Sequence, residues 1–203
     1  MQKVITNFAK NNINAYYVAD KRSGLKQILE LVPNGCSVAF AGSQTVKETG
    51  VREYFTQNTQ KYTLIDQEAP GLSKEQAYEI RRRALFADVL ITSSNAITKN
   101  GEIVNIDGLG NRVAGINFGP KQVIIIVGIN KIVSNLPAAW KRIRTIAAPL
   151  NNKRLNTNNP CVISGVCQDC DLPSRICRIY NVIHGQMLPN RIHVIIVNEN
   201  LGF

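Results

Sequence analysis

The chain is short of aromatic residues. Phe, Trp and Tyr make up 6% of its 203 positions, with a single Trp. No stretch interleaves basic and aromatic side chains, the pattern that stacks unpaired bases, so nucleic acid is not an expected partner. Long apolar runs are missing too. The longest, Val123–Ile129 (VIIIVGI), falls far short of the ~20 residues that span a bilayer and reads as a buried strand. The opening residues, MQKVITNFAKNNINAYY, hold neither an apolar h-region nor a small-residue cleavage site, and no secretory signal is expected. The expected setting is cytoplasmic. Disulfides are disfavoured there, so clustered cysteines point to metal or redox chemistry. Acidic side chains are scarce as well: 14 Asp and Glu stand against 24 Lys and Arg, a formal charge of +10. That balance suits small anionic ligands such as carboxylates, phosphates or coenzyme A. The densest basic groups, Arg81–Arg83 and Lys141, Arg142 and Arg144, read as solvated helix faces.

What is present is enough apolar material, 44% of residues, to bury a substantial core. The length fits one domain over residues 1–203, with a cysteine-rich segment at 155–185. Apolar periodicity predicts a helix over 2–13, a second from Ser23 to Val32, and a third to Ala87 opened by a Ser73–Gln76 capping box. Strands are predicted at 15–19, 36–41, 62–66, 88–94, 121–133 and 191–199. Asn100-Gly101 between two β-prone runs predicts a hairpin. The Gly108–Asn111 turn is expected to lead into a further strand, RVAGINF. A helix with Pro137 near its start follows. The expected fold class is α/β: a mostly parallel sheet with helices on both faces, plus an antiparallel hairpin portion.

In such sheets ligands sit beyond the carboxyl ends of the strands. That rule points to Gly42–Thr45, Ser93–Asn95 and the Gly128–Lys131 turn. Gly42, Ser43 and Thr45 lie where a strand becomes a helix, which suits either an anion cradle or a simple cap. Glu48, just beyond, reads as a dipole-compensating or catalytic carboxylate on the helix's first turn. Ser94 and Asn95 complete the strand-end group. Asn105, Asp107, Asn111 and Arg112 crowd a Gly-x-Gly turn. They read either as turn-stabilising residues or as an anion site in which Arg112 forks onto a carboxylate or phosphate. Asn105 and Asp107 share one side of a strand.

Four of the five cysteines fall within NPCVISGVCQDCDLPSRIC: Cys161, Cys167, Cys170 and Cys177. The spacing matches neither a paired zinc knuckle nor a ferredoxin run. Zinc, an iron-sulfur cluster, or plain reduced thiols all remain open. Pro173 is expected to begin a helix that reaches His184 and carries Cys177, its N-terminus and Arg175 favouring thiolates. Cys36 reads as packing only, and His184 and His193 as non-ligands.

The segments ADVLITSSNAI, GEIVNIDGLGNRVAGINFGPKQVIIIVGINKIV, PCVISGVCQDCDLPSRICRIYNVIHG and RIHVIIVNENLG, in this order, resemble the lactate-utilization (LUD) domain family, formerly a domain of unknown function. The likeness is to its short, stand-alone, cysteine-containing members. The family's Gly-Gly-Ser-Thr loop matches Gly42, Ser43 and Thr45, with Ala41 replacing the first Gly; Asn100 replaces the Thr before the hairpin Gly. The resemblance implies a fold like that of glucosamine-6-phosphate isomerase, ribose-5-phosphate isomerase and CoA transferases. It implies a small anionic ligand in lactate-type carboxylate metabolism. The alternatives are a non-catalytic metal-cluster partner of a redox complex, or an isomerase or CoA-transferase-like enzyme.

Overall fold

The computed structural model describes residues 1–203. The strands are β1 (Asn14–Val18), β2 (Ser37–Phe40), β3 (Thr63–Asp66), β4 (Val89–Thr92), β5 (Ala96–Thr98), β6 (Ile103–Asp107), β7 (Gln122–Gly128), β8 (Ile132–Val133), β9 (Ile179–Ile183) and β10 (Ile192–Val197). The helices are α1 (Gln2–Lys10), α2 (Lys21–Leu31), α3 (Gln44–Glu48), α4 (Val51–Gln57), α5 (Lys74–Arg83), α6 (Asn111–Asn117), α7 (Leu136–Arg142), α8 (Ala148–Arg154) and α9 (Cys161–Ser164). A six-stranded sheet runs in the order β1-β10-β7-β4-β2-β3, every pair parallel. A four-stranded mixed sheet follows the order β8-β5-β6-β9. This is the expected α/β architecture.

The central strands are apolar at almost every position because both of their faces are covered. Along β7, Val123, Ile125 and Val127 enter the core beneath α1 and α6. Ile124 and Ile126 enter the opposite core beneath α2, α3 and α4. Each such buried side chain contributes about 1.5–3 kcal/mol by leaving water. A third, smaller core joins α7 and α8 to the mixed sheet through Ala96, Val104, Ile106, Ala139 and Ile143.

Local signals set most boundaries. The Ser73–Gln76 capping box opens α5 as expected. Helix α2 begins at Lys21, two residues before the predicted Ser23, because Asp20 is the cap and accepts the Ser23 N–H. Helix α7 opens at Leu136, with the predicted Pro137 in its first turn, and runs on through a wide turn, Ile143–Ala147, into α8. Pro149 offers no N–H and its ring crowds the carbonyl four residues back, and the widened turn absorbs both defects.

Arg142, expected on a solvated helix face, is buried and donates to the carbonyls of Asn130 and Asn95. Two expected elements also fail. RVAGINF is helix α6, not a strand. Val113 and Ile116 are buried three apart on one helical face, and the Asp107 carboxylate accepts the Val113 N–H at the helix start. The predicted 173–184 helix is also absent. The chain makes a turn and then forms β9, antiparallel to β6 from Asp107↔Ile179 to Ile103↔Ile183. The open edge of β6 offered a row of backbone partners, and the β-branched run fits a pleated edge better than a helix.

Arg191 fastens α6 to the sheet. Its buried guanidinium donates to the carbonyls of Gly115, Ile116 and Pro120 at 2.7–3.1 Å, satisfying groups that a helix end leaves unpaired. Arg191→Ala strands those acceptors. Urea unfolding should show a loss of about 2–4 kcal/mol, with Arg191→Lys recovering only part of it.

Candidate functional site

The loops after β2, β4 and β7 open side by side at the carboxyl edge of the main sheet. Together with the end of β6, the start of α6 and the α7–α8 turn, they enclose a crevice of about 360 Å³. Gly42, Ser43, Thr45, Ser94, Asn95, Asp107, Asn111 and Arg112 all line it. Of the residues expected there, Asn105 does not, and of the Gly128–Lys131 turn only Lys131 does. Asn105 is fully buried behind the wall, where its side-chain oxygen accepts the Asn95 N–H, while Asn95 in turn accepts the Ile106 N–H. The pair stitches the loop after β4 to β6.

Ser43 caps α3, its hydroxyl accepting the Val46 N–H. The Glu68 carboxylate leans over Gly42 so closely that a Cβ there would meet Oε1 at 2.6 Å. Glu68 is itself held near Lys47 (3.4 Å) and Arg52 (3.7 Å). Glu48 closes α3 instead of starting it, and accepts the Gly202 N–H at 2.6 Å. Its work is to hold the C-terminal segment.

Arg112 reaches the crevice, but much of its fork is already engaged. It donates to the carbonyls of Ser93 (3.2 Å) and Ile106 (2.6 Å) and to Asn95 Oδ1 (2.9 Å), with Asp107 Oδ2 at 4.0 Å. Its charge faces the crevice, and its N–H groups tie the loop after β4 to the end of β6.

The residue that sequence reading missed is Lys131. The strand-end rule reached the turn that holds it without singling it out. Only 4% of it is exposed, and it lines the crevice floor. Its ammonium donates to Thr45 Oγ1 (2.6 Å), Ser93 Oγ (3.0 Å) and the Ser94 carbonyl (3.1 Å), all neutral groups. Burial, then the charges of Arg142 and Arg112, press its pKa down to about 7, and Glu48 opposes them only weakly. A lysine directly after the most hydrophobic strand, with no acid nearby in sequence, was the available signal.

The four clustered cysteines surround a second, much smaller cavity of about 20 Å³, with Asn152 and Asn159. Cys161 begins α9, and Cys167 and Cys170 sit in the loop after it. Cys177 precedes β9 in extended chain, not on a helix. Arg175 folds the loop by donating to the carbonyls of Cys170 and Cys177, and the Asp169 N–H points at Cys167 Sγ (3.4 Å). As the side chains stand, no three His, Cys, Asp or Glu residues are arranged as a finished metal site. With the expected 173–184 helix absent, the thiolate bias reverses for two of the four. Burial and the neighbouring thiols push Cys177 up to about 11 and also raise Cys161. Cys177 lines both cavities, so the thiol cluster and the crevice share a wall. Cys36 packs against the core, as expected. His193 is held by Tyr16 and the Asn190 carbonyl, and His184 lies beside Glu102; neither touches either cavity.

A family model for the LUD domain matches residues 1–197. The chain belongs to the LUD domain family. Its fold is similar to that of a DUF162 family protein from Deinococcus radiodurans, known from its crystal structure, DUF162 being the earlier name of the same domain. The two share 15% identity at a TM-score of 0.56, over 97% of this chain and 94% of that one. That distance supports likeness of fold only. No curated protein matches the sequence. No helix of this LUD protein is long and apolar enough to cross a membrane.

Proposed function

We propose that this LUD protein binds a small carboxylate or phosphate in the crevice and serves lactate-type carboxylate metabolism. The observation that carries the reading is Lys131. A buried cation whose hydrogen-bond partners are all neutral, with Arg112 beside it, leaves uncompensated positive potential at the crevice floor. An anionic ligand supplies the missing charge, and a charge-assisted contact there contributes on the order of 1.5–3 kcal/mol. Calorimetric titration tests it with pyruvate and L-lactate against their neutral amides, and with inorganic phosphate. The anions should bind, more weakly as salt is raised, and the amides should not. Equal binding of acid and amide would remove charge as the basis of recognition.

A second reading rests on the thiol cluster. Four soft donors around one cavity suit a metal ion, and a volume of about 20 Å³ favours a single ion over a four-iron cluster. Cys161, Cys167, Cys170 and Cys177 would hold a zinc ion, whose contribution is to fix a loop that has little core of its own.

A further inference from the structure

Lys131 is more than a source of charge. We infer that Ser93 and Lys131 form a nucleophile–base pair for acyl transfer, acting on an ester or thioester that bears an anionic group. The inference rests on the anion-binding reading of the same crevice for its substrate class. It rests on the local hydrogen bonds for its chemistry.

Three groups surround the Lys131 nitrogen, and they are not equivalent. The Ser94 carbonyl can only accept. The Thr45 hydroxyl has an outlet for its own proton in the Leu201 carbonyl, at 3.4 Å. The Ser93 hydroxyl has none as good: its other partner is the Ser94 carbonyl, at the 3.5 Å limit of a hydrogen bond. A neutral Lys131 therefore places its two N–H bonds toward Thr45 and Ser94 and turns its lone pair to Ser93 Oγ, 3.0 Å away. Every group is then satisfied. The Ser93 proton points at a base, the arrangement an activated serine requires. Burial and neighbouring positive charge keep a share of Lys131 neutral near pH 7. Ser93 lies at the carboxyl end of β4, its carbonyl is gripped by Arg112, and the crevice opens above it.

The step balances within the crevice. Ser93 Oγ bonds to the acyl carbon as its proton moves to Lys131. The tetrahedral adduct then collapses, breaking the bond to the leaving oxygen or sulfur, which takes that proton. Water attacks the Ser93 ester next and gives a proton to Lys131. Release of the acid returns that proton to Ser93.

Diisopropyl fluorophosphate, which traps activated serines, is the probe. The wild-type protein should take one adduct per chain, located on Ser93 by peptide mass mapping, at a rate that rises as pH climbs through about 7. Ser93→Ala should take none. Lys131→Met should react about a hundredfold or more slowly while keeping a cooperative thermal melt, and Lys131→Arg should not restore the rate. Absence of an adduct, an adduct elsewhere, or an unchanged rate in Lys131→Met overturns the pair. Phosphate titration of the same wild-type sample separates the two readings. Binding without labelling removes the pair and leaves the anion site, whereas labelling without binding keeps the pair and removes the anion site.

Discussion

Lys131→Met should lose anion binding by about ten- to a hundredfold and yet melt higher than the wild-type protein at pH 7. The two effects share one cause. An unfolded lysine holds its proton up to about 10.5, while folded Lys131 releases it near 7. Between those values the unfolded chain binds more protons, so wild-type stability rises with pH across that window and is lowest at and below its acid end. The burden at pH 7 is on the order of 4–5 kcal/mol. Methionine fills similar space without a charge. It forfeits three hydrogen bonds, worth about 1 kcal/mol each, but Thr45 and Ser93 are hydroxyls that can turn to other partners. The net gain should be about 1–3 kcal/mol, a rise of roughly 3–10 °C in melting temperature. The diagnostic readout is the pH profile: the wild-type slope between pH 7 and 10 should flatten in the variant. A variant that melts lower, with the slope intact, would make Lys131 a structural pin and leave the crevice without its central charge.

Such a residue is hard to see in a sequence, because its value lies in what surrounds it. The strands that build the crevice were legible. VLIT, QVIIIVG and IHVIIV are apolar without alternation, which only a parallel sheet covered on both faces explains. From those strands, the strand-end rule located Gly42, Thr45, Ser94 and Asn95 on one crevice. What failed was short and ambiguous. Val113 and Ile116 fit a one-and-a-half-turn helix as well as a strand, and only the covered face decides between them. Ile179, Tyr180 and Ile183 fit a helical stripe, but β6 needed a partner on its open edge. Asn105 was expected in the crevice because Asn105 and Asp107 share a strand face, but it lies two residues further back along β6, fully buried, and its side-chain oxygen accepts the Asn95 N–H.

The thiol cluster yields the other large expected effect. Protein purified anaerobically without chelators should carry about one metal ion per chain, zinc under the single-ion reading. Cys177→Ser should weaken that binding by about a hundredfold or more, since it removes one of the four donors in a closed site. The pH response follows from the thiols themselves. Without metal, Cys177 stays protonated until about pH 11 and Cys161 is raised as well, because each is buried among other thiols that oppose a negative charge. A metal must displace those protons, so affinity should fall steeply on acidification and zinc addition should release protons that a pH-stat can count. The segment from Gly165 to Arg178 contains no helix or strand. It is held chiefly by Arg175 and by the Asn159–Ser174 hydrogen bonds. Metal removal should therefore expose this loop to protease while the six-stranded sheet, which buries no part of it, stays cooperative in its melt. Iron with labile sulfide in place of zinc would mean that the cavity opens to admit a cluster. A fully reduced chain that binds neither metal, and whose four thiols react with a thiol reagent equally fast with and without zinc, would leave the cysteines as packing groups in the wall beside the crevice.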